Sequence, residues 1–173
     1  LGAYFQVVTA DNGVTGFEMA SSEDPCLIVC DVLMPGMNGF EVTRKLKSEF
    51  DTSHIPVILL TALTLPENHL DGIESGADAY LSKPFSIKLL LARIIKLLEQ
   101  REKLKAKFSE EPGIVRSAIY ASERDKEFVD ELHRVLEENL ANARFSVDDF
   151  AAQMNVGRTV FYKKVKGVTG YSP

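Results

Sequence analysis

The sequence predicts an α/β protein, a parallel, doubly wound sheet followed by an all-α unit, and three observations carry that prediction. Apolar, β-branched runs at 27–30, 57–60 and 79–81 have strand length and are bounded by turn residues, as strands buried on both faces should be. Helix-length stretches separate the runs, as crossovers between parallel strands require. Beyond residue 121 the short apolar runs stop and helical spacing takes over.

Each run delivers one polar side chain to its C-terminal end. Leu27-Ile28-Val29-Cys30 leads into Asp31 and, after Val32-Leu33-Met34, into a Pro35-Gly36 turn. Pro56-Val57-Ile58-Leu59-Leu60 leads into Thr61, and Ala79-Tyr80-Leu81-Ser82 leads into Lys83-Pro84-Phe85. In open α/β sheets these strand ends form the ligand crevice. An acid, a hydroxyl and an ammonium arriving there together suit a metal, a phosphoryl group or both.

Taken singly, each residue has an ordinary structural role. Asp31 could cap a turn, Thr61 could be a strand-end hydroxyl or helix cap, Lys83 a solvated turn residue and Tyr80 packing. Their shared order and phase favour the functional reading.

The Asp31-x-x-Met34-Pro35-Gly36-Met37-Asn38-Gly39 run, the strand into Thr61-Ala62, and Gly76-Ala77-x-x-Tyr80-Leu81-x-Lys83-Pro84-Phe85 resemble the receiver domain of bacterial two-component response regulators. The resemblance covers about residues 1–100. It implies that Asp31 accepts a phosphoryl group from a histidine kinase, Thr61 contacts that group, and Lys83 pairs with it. It further implies that Tyr80 turns inward when Thr61 moves, that Lys83-Pro84 is a cis bond, and that Mg2+ is the cofactor. Of the metal ligands, the Asp31 carboxylate and the Leu33 backbone carbonyl can be named. Such chemistry is sound, because transferred phosphoryl oxygens gather negative charge that cations and donors must offset.

Receivers have a flavodoxin-like strand order, 2-1-3-4-5, and carry an acidic pair at the end of the first strand. Residues 1–5 read here as the tail of the first helix, and residues 6–10 as the second strand. The first strand and its acids are absent from these residues; Asp11 and Asp24, both in turns, are poor substitutes. Without that strand the second has no neighbour for its backbone groups. About twenty further residues are therefore expected before Leu1, or a strand donated by another chain.

The chain has 173 residues, 45% of them hydrophobic, enough for one full domain and part of another. Its apolar segments are too short to span a bilayer, and no signal peptide is visible. Cys26 and Cys30 read as reduced core residues, and His54, His69 and His133 as scattered surface groups without metal spacing. A cytoplasmic location is expected, possible also for the cytoplasmic part of a membrane-anchored hybrid kinase.

The last receiver helix starts near Ser86, with a stripe of Ile87, Leu90, Leu91, Ile94 and Leu98. Leu90, Leu97 and Leu104 recur every seven residues, which would support a homodimer as well as a plain solvated extension. The receiver is assigned to residues 1–108, a linker to 109–121, and the second unit to 122–173.

In that unit, 123–142 form an amphipathic helix with Phe128, Leu132, Val135, Leu136 and Leu140 on one face. A capped start at Ser146 opens a short helix over 147–154, and a third helix covers 158–166 after Asn155 and Gly157. Two short helices joined by a tight turn suggest helix-turn-helix DNA binding. Residues 123–173, best over 145–173, resemble the first half of an AraC-type DNA-binding domain; the second helix-turn-helix is absent. The resemblance implies that the third helix enters a major groove. Arg158, Thr159 and Tyr162 would reach base edges, and Lys163, Lys164 and Lys166 would hold phosphates.

Charge supports this only locally. Residues 157–173 hold four basic side chains and no acid, whereas the whole chain is at −5, so any nucleic-acid contact must be focused on that helix. The sequence thus reads as a phosphorylation-controlled transcription regulator, not an enzyme and without a small-molecule substrate. Its partners are a histidine kinase, separate or in the same polypeptide as in hybrid two-component proteins, and DNA. Two alternatives are a phosphorylation-independent interaction module and an aspartyl-phosphate hydrolase. The latter would want a second acid two residues after Asp31, where Leu33 stands.

Overall fold

The computed structural model describes residues 1–62, 75–110 and 123–173, with the backbone alone over 104–110. Strands β1 (Ile28–Asp31), β2 (Val57–Thr61) and β3 (Ala79–Ser82) form a parallel sheet in that order. Helices α1 (Gly13–Glu23) and α2 (Gly39–Ser48) cover one face, and α3 (Ile87–Glu110) covers the other. Three further helices follow: α4 (Glu123–Asn139), α5 (Val147–Gln153) and α6 (Arg158–Thr169). No described helix is long and apolar enough to cross a membrane.

Alternation along β2 explains the two layers. Val57 and Leu59 join Cys30, Val32, Phe40, Val42 and Leu46 on the α1/α2 side, while Ile58 joins Leu81, Leu90 and Ile94 on the α3 side. Successive strand side chains point to opposite faces, so a central strand must be apolar throughout. Local signals set the helix starts. Asn12 accepts from the amides of Val14 and Thr15, and Asn38 with Glu41 closes a reciprocal capping box.

Residues 6–10, read as a strand, form none; they are exposed and lie outside the sheet. A strand exists through its ladder, and no neighbour pairs with this segment among the described residues. Residues 1–5 form a turn, not a helix tail. The helix expected between β2 and β3 falls largely on residues 63–74, which lie outside the described residues, as does His69. Cys26 is exposed and precedes β1, so only Cys30 is a core thiol. His54 is buried, not at the surface. Its loop follows α2 and is covered by the second unit.

Leu90 and Leu97 of the seven-residue series do not form an outward seam. Leu90 is buried and Leu97 packs beside it against the sheet, because the helix stripe serves the receiver core; the side chain of Leu104 lies outside the described residues. In the second unit, Phe128, Val129, Ala151, Phe161 and Val165 make a core of their own. Val129 replaces the predicted Leu136 and Leu140, which are exposed. Phe50, from the loop after α2, packs into that core.

Candidate functional site

Two backbone bonds extend the sheet just past its strands and thereby fix the site. The Val32 amide donates to the Leu60 carbonyl at 2.8 Å, and the Lys83 amide donates to the Thr61 carbonyl at 2.7 Å. Asp31 pairs with Leu60 and Thr61 with Ser82 in register. Asp31, Thr61 and Lys83 therefore stand side by side at the C-terminal edge of three adjacent strands. The Lys83 ammonium reaches past β2 and meets the Asp31 carboxylate, binding its Oδ2. Both side chains are about a third exposed, 37% for Lys83 and 35% for Asp31, so the pair is open to a reagent from solvent.

The other carboxylate oxygen, Oδ1, accepts from the Leu33 amide at 3.2 Å. Burial alone would push Asp31 up, but the Lys83 bond, the Leu33 amide and the lysine's charge hold its carboxyl below the usual range. Asp31 is thus an anion in a polar cradle, suited to act as a nucleophile.

Glycine shapes the approach. A Cβ at Gly39 would lie 2.3 Å from the Asp31 carbonyl oxygen and 2.9 Å from the Val32 Cα. Only a residue without a side chain lets the start of α2 pack this tightly under the acid. In the sequence, the signal for this role of Gly39 is its place between the Pro35-Gly36 turn and the helix that follows.

Thr61 continues the alternation of Val57 and Leu59 and so belongs to the α1/α2 face. Tyr80 pairs with Leu59 in register and packs against the same core cluster. Its hydroxyl lies 3.3 Å from the Ser75 Oγ. Lys83-Pro84 is cis, as the family resemblance implies.

Toward a cation, the described residues offer the Asp31 carboxylate and the carbonyl of Leu33. Mg2+ takes near-octahedral oxygen coordination, and no group of three His, Cys, Asp or Glu side chains occurs among the described residues. With Lys83 already on one Asp31 oxygen, these residues do not by themselves complete a magnesium site.

The candidate DNA residues divide into two sets. Arg158, Thr159 and Lys166 are exposed on α6, and Tyr162 is half-buried beside them. The Arg158 guanidinium pairs with Asp148 at 3.0 Å and stacks 5.6 Å from the Tyr162 ring centroid. Lys163, by contrast, donates to the Ser21 carbonyl of α1 at 3.2 Å.

Lys164 corrects the sequence reading. It is fully buried and binds Asp125 and Ser53, so its ammonium is part of the core and cannot hold a phosphate there. Helical spacing puts it beside Phe161 and Val165 on the inward face, and Asp125 compensates the buried charge.

Residues 2–95 match the response regulator receiver domain family. Over 169 residues, 98% of the chain, it is 40% identical to Histidine kinase P4 of Formosa agariphila, of which it spans 12%. It is also 43% identical over 98 residues to the transcriptional regulatory protein CusR of Escherichia coli, covering 57% of this chain and 42% of that one. The chain thus spans less than half the length of these relatives. Among solved structures, the receiver domain of a signal transduction histidine kinase from Syntrophus aciditrophicus superposes with TM-score 0.54 at 32% identity. That match covers 68% of this chain and 79% of the other. A CheY-like receiver protein from Methanospirillum hungatei gives TM-score 0.55 at 27% identity, covering 59% and 80%. The sheet with its flanking helices, the acid at the end of β1 and the family match agree: this chain belongs to the response regulator receiver domain family.

Proposed function

We propose that Asp31 accepts a phosphoryl group from a histidine kinase and that the added charge controls DNA binding through α6. Receiver domains take phosphoryl groups from histidine kinases, and this chain is a member of that family. The observation that carries the assignment to Asp31 is its contact with the Lys83 ammonium across the end of β2, next to Thr61.

The chemistry follows from those three side chains. An Asp31 oxygen attacks phosphorus, the P–N bond of a phosphohistidine breaks, and its electron pair leaves with the imidazole. Lys83, paired with Asp31 beforehand, turns to the phosphoryl oxygens and offsets their charge. The product adds close to two negative charges. Thr61 donates its hydroxyl to the new anion, and Tyr80, on the same face, follows into the space released. Mg2+ is the cofactor that the receiver resemblance implies, and the Asp31 carboxylate and the Leu33 carbonyl are the ligands proposed for it here. Leu33 also argues against a hydrolase, since no acid stands two residues beyond the nucleophile.

For DNA, support comes from the turn between α5 and α6, where Asn155 adopts a left-handed φ of 56°, and from the exposed Arg158, Thr159 and Lys166. The alignment with the Formosa histidine kinase takes in the helical residues as well, which favours a hybrid kinase–regulator polypeptide.

Incubation with phosphoramidate and magnesium, read by intact mass and hydroxylamine sensitivity, tests the core of this reading. One acyl phosphate should form on the native chain and none on Asp31→Asn. Labelling that persists in the variant overturns the assignment; a native chain that never labels favours the phosphorylation-independent module. Duplexes selected from a random pool should bind the native chain and lose affinity with Arg158→Ala.

A further inference from the structure

We propose that Ser75 is a positioning residue for the switch: its hydroxyl holds Tyr80 where it stands before phosphorylation and sets how readily that ring moves. The consequence for phosphorylation rests on the Thr61/Tyr80 reading above; the contact between the two hydroxyls does not. Ser75 is 1% exposed, and its Oγ lies 3.3 Å from the Tyr80 hydroxyl, so that either oxygen can donate to the other. The segment from Ser75 to Asp78 is fixed from two sides. Gly76 turns the chain at a φ of 76°, and a Cβ there would stand 3.4 Å from the Lys47 Cγ of α2. The Asp78 amide donates to the Val57 carbonyl at 3.0 Å, and the Val57 amide donates back to the Asp78 carboxylate at 2.8 Å. Lys47 pairs with that carboxylate at 2.9 Å and donates to the Ile55 carbonyl at 2.9 Å.

Two residues five positions apart thus differ in their freedom. Bonded polar networks rigidify what they join, and this one ties the segment that carries Ser75 to the start of β2 and to the last turn of α2. Tyr80 is the movable partner, half-buried in β3 with its ring against the α1/α2 cluster. Its hydroxyl is the atom farthest from the backbone, so a change of rotamer carries it away from Ser75. A hydroxyl buried as deeply as that of Ser75 gives up a partner only at a cost. The bond therefore opposes the movement of Tyr80 that the new phosphoryl charge calls for. A reaction that proceeds through a minor conformer is slowed by the small population of that conformer. Deleting one end of the bond should raise the population by the worth of one hydrogen bond, about threefold to tenfold. Ser75 precedes β3 and Lys83 follows it, so the serine acts on the reaction through Tyr80 and is no part of the reacting cluster.

Ser75→Ala and Tyr80→Phe, each in the full chain, remove the same bond from its two ends. Each should lower the urea midpoint, and the two together should cost less than the sum of the singles, as for residues in direct contact. Acyl-phosphate formation from phosphoramidate with magnesium should run about threefold to tenfold faster in Ser75→Ala. The same substitution should add little in the Tyr80→Phe background. In chains carrying 3-fluorotyrosine, the Tyr80 resonance is the one lost in Tyr80→Phe. In unphosphorylated Ser75→Ala it should move toward the position that phosphoramidate gives it in the native chain. Additive midpoints overturn the contact and the proposal with it. Slower labelling in Ser75→Ala overturns the assignment of the bond to the resting state. Coupled midpoints with native labelling rates in both variants uphold the hold of Ser75 on Tyr80 and overturn the switch reading instead.

Discussion

The ring of Phe50, on the loop that leaves α2, stands edge-on to the ring of Phe128 in α4, with centroids 5.2 Å apart and planes at 80°. Edge-to-face pairs contribute beyond the area they bury. A receiver side chain thus completes the core of the helical unit, whose Phe128 and Phe161 continue the aromatic stack. Phe50→Ala should lower stability by about 2 kcal/mol, less than for a fully buried phenylalanine because Phe50 is only half-buried. Urea unfolding followed by circular dichroism measures it. An unchanged midpoint would mean the two units do not share this contact in solution.

Lys164→Met separates a core role from a DNA role. Removing one partner of a buried ion pair strands the other, and Asp125 is 1% exposed, so stability should fall by about 3–5 kcal/mol. Adding Asp125→Asn to Lys164→Met should recover much of that loss, as thermal melts of the two variants would report. A stable Lys164→Met with weakened DNA binding would instead restore the phosphate-holding role.

Lys83→Gln deletes the charge and leaves a polar side chain one atom shorter. With phosphoramidate, acyl-phosphate formation should slow by about 10²–10³, the scale of losing one stabiliser of transition-state charge. The pH profile should move as well. Burial pushes Asp31 up and Lys83 holds it down, so without the lysine the carboxyl becomes protonated at a higher pH as the solution is acidified. The acid limb of the rate profile should shift upward; an unshifted limb with native rates would remove Lys83 from the site.

His54 makes acid destabilising. Its burial, with the positive charges of Lys164, Arg101 and Lys47 around it, outweighs Asp125 and holds its imidazole down to about 3. Asp24 also faces it, 3.7 Å away. The unfolded chain protonates this ring near pH 6.5 while the folded chain does not. Between about pH 6.5 and pH 3 the unfolded state therefore binds the extra proton, and stability falls as pH falls. His54→Gln should flatten this part of a stability-against-pH curve obtained by urea titration; an equally steep curve in the variant would place the slope elsewhere.

Much of the receiver was legible before any fold was drawn. The apolar runs 27–30, 57–60 and 79–81 became β1, β2 and β3, because a strand buried on both faces tolerates nothing else. Asp31, Thr61 and Lys83 follow those strands directly, so their meeting at one edge is a consequence of parallel pairing. The segment 6–10 failed as a strand because its pattern cannot supply the neighbour it needs. Leu97 misled in a similar way: a spacing of seven is also a spacing of two helix turns, and here it serves the receiver core.

Amino-acid order alone determined the alternation of strands and helices, the caps at Asn38 and Ser146, and the three strand-end side chains, since each depends on neighbours within a few residues. Which basic residues of α6 are free was decided by the tertiary structure. Ser53, Asp125 and Lys164 lie far apart along the chain, and only their packing brings a hydroxyl, a carboxylate and an ammonium into one dry space. Burial is a property of the assembled whole, and a lysine read from its helix alone looks the same whether water or a phenylalanine waits on its far side.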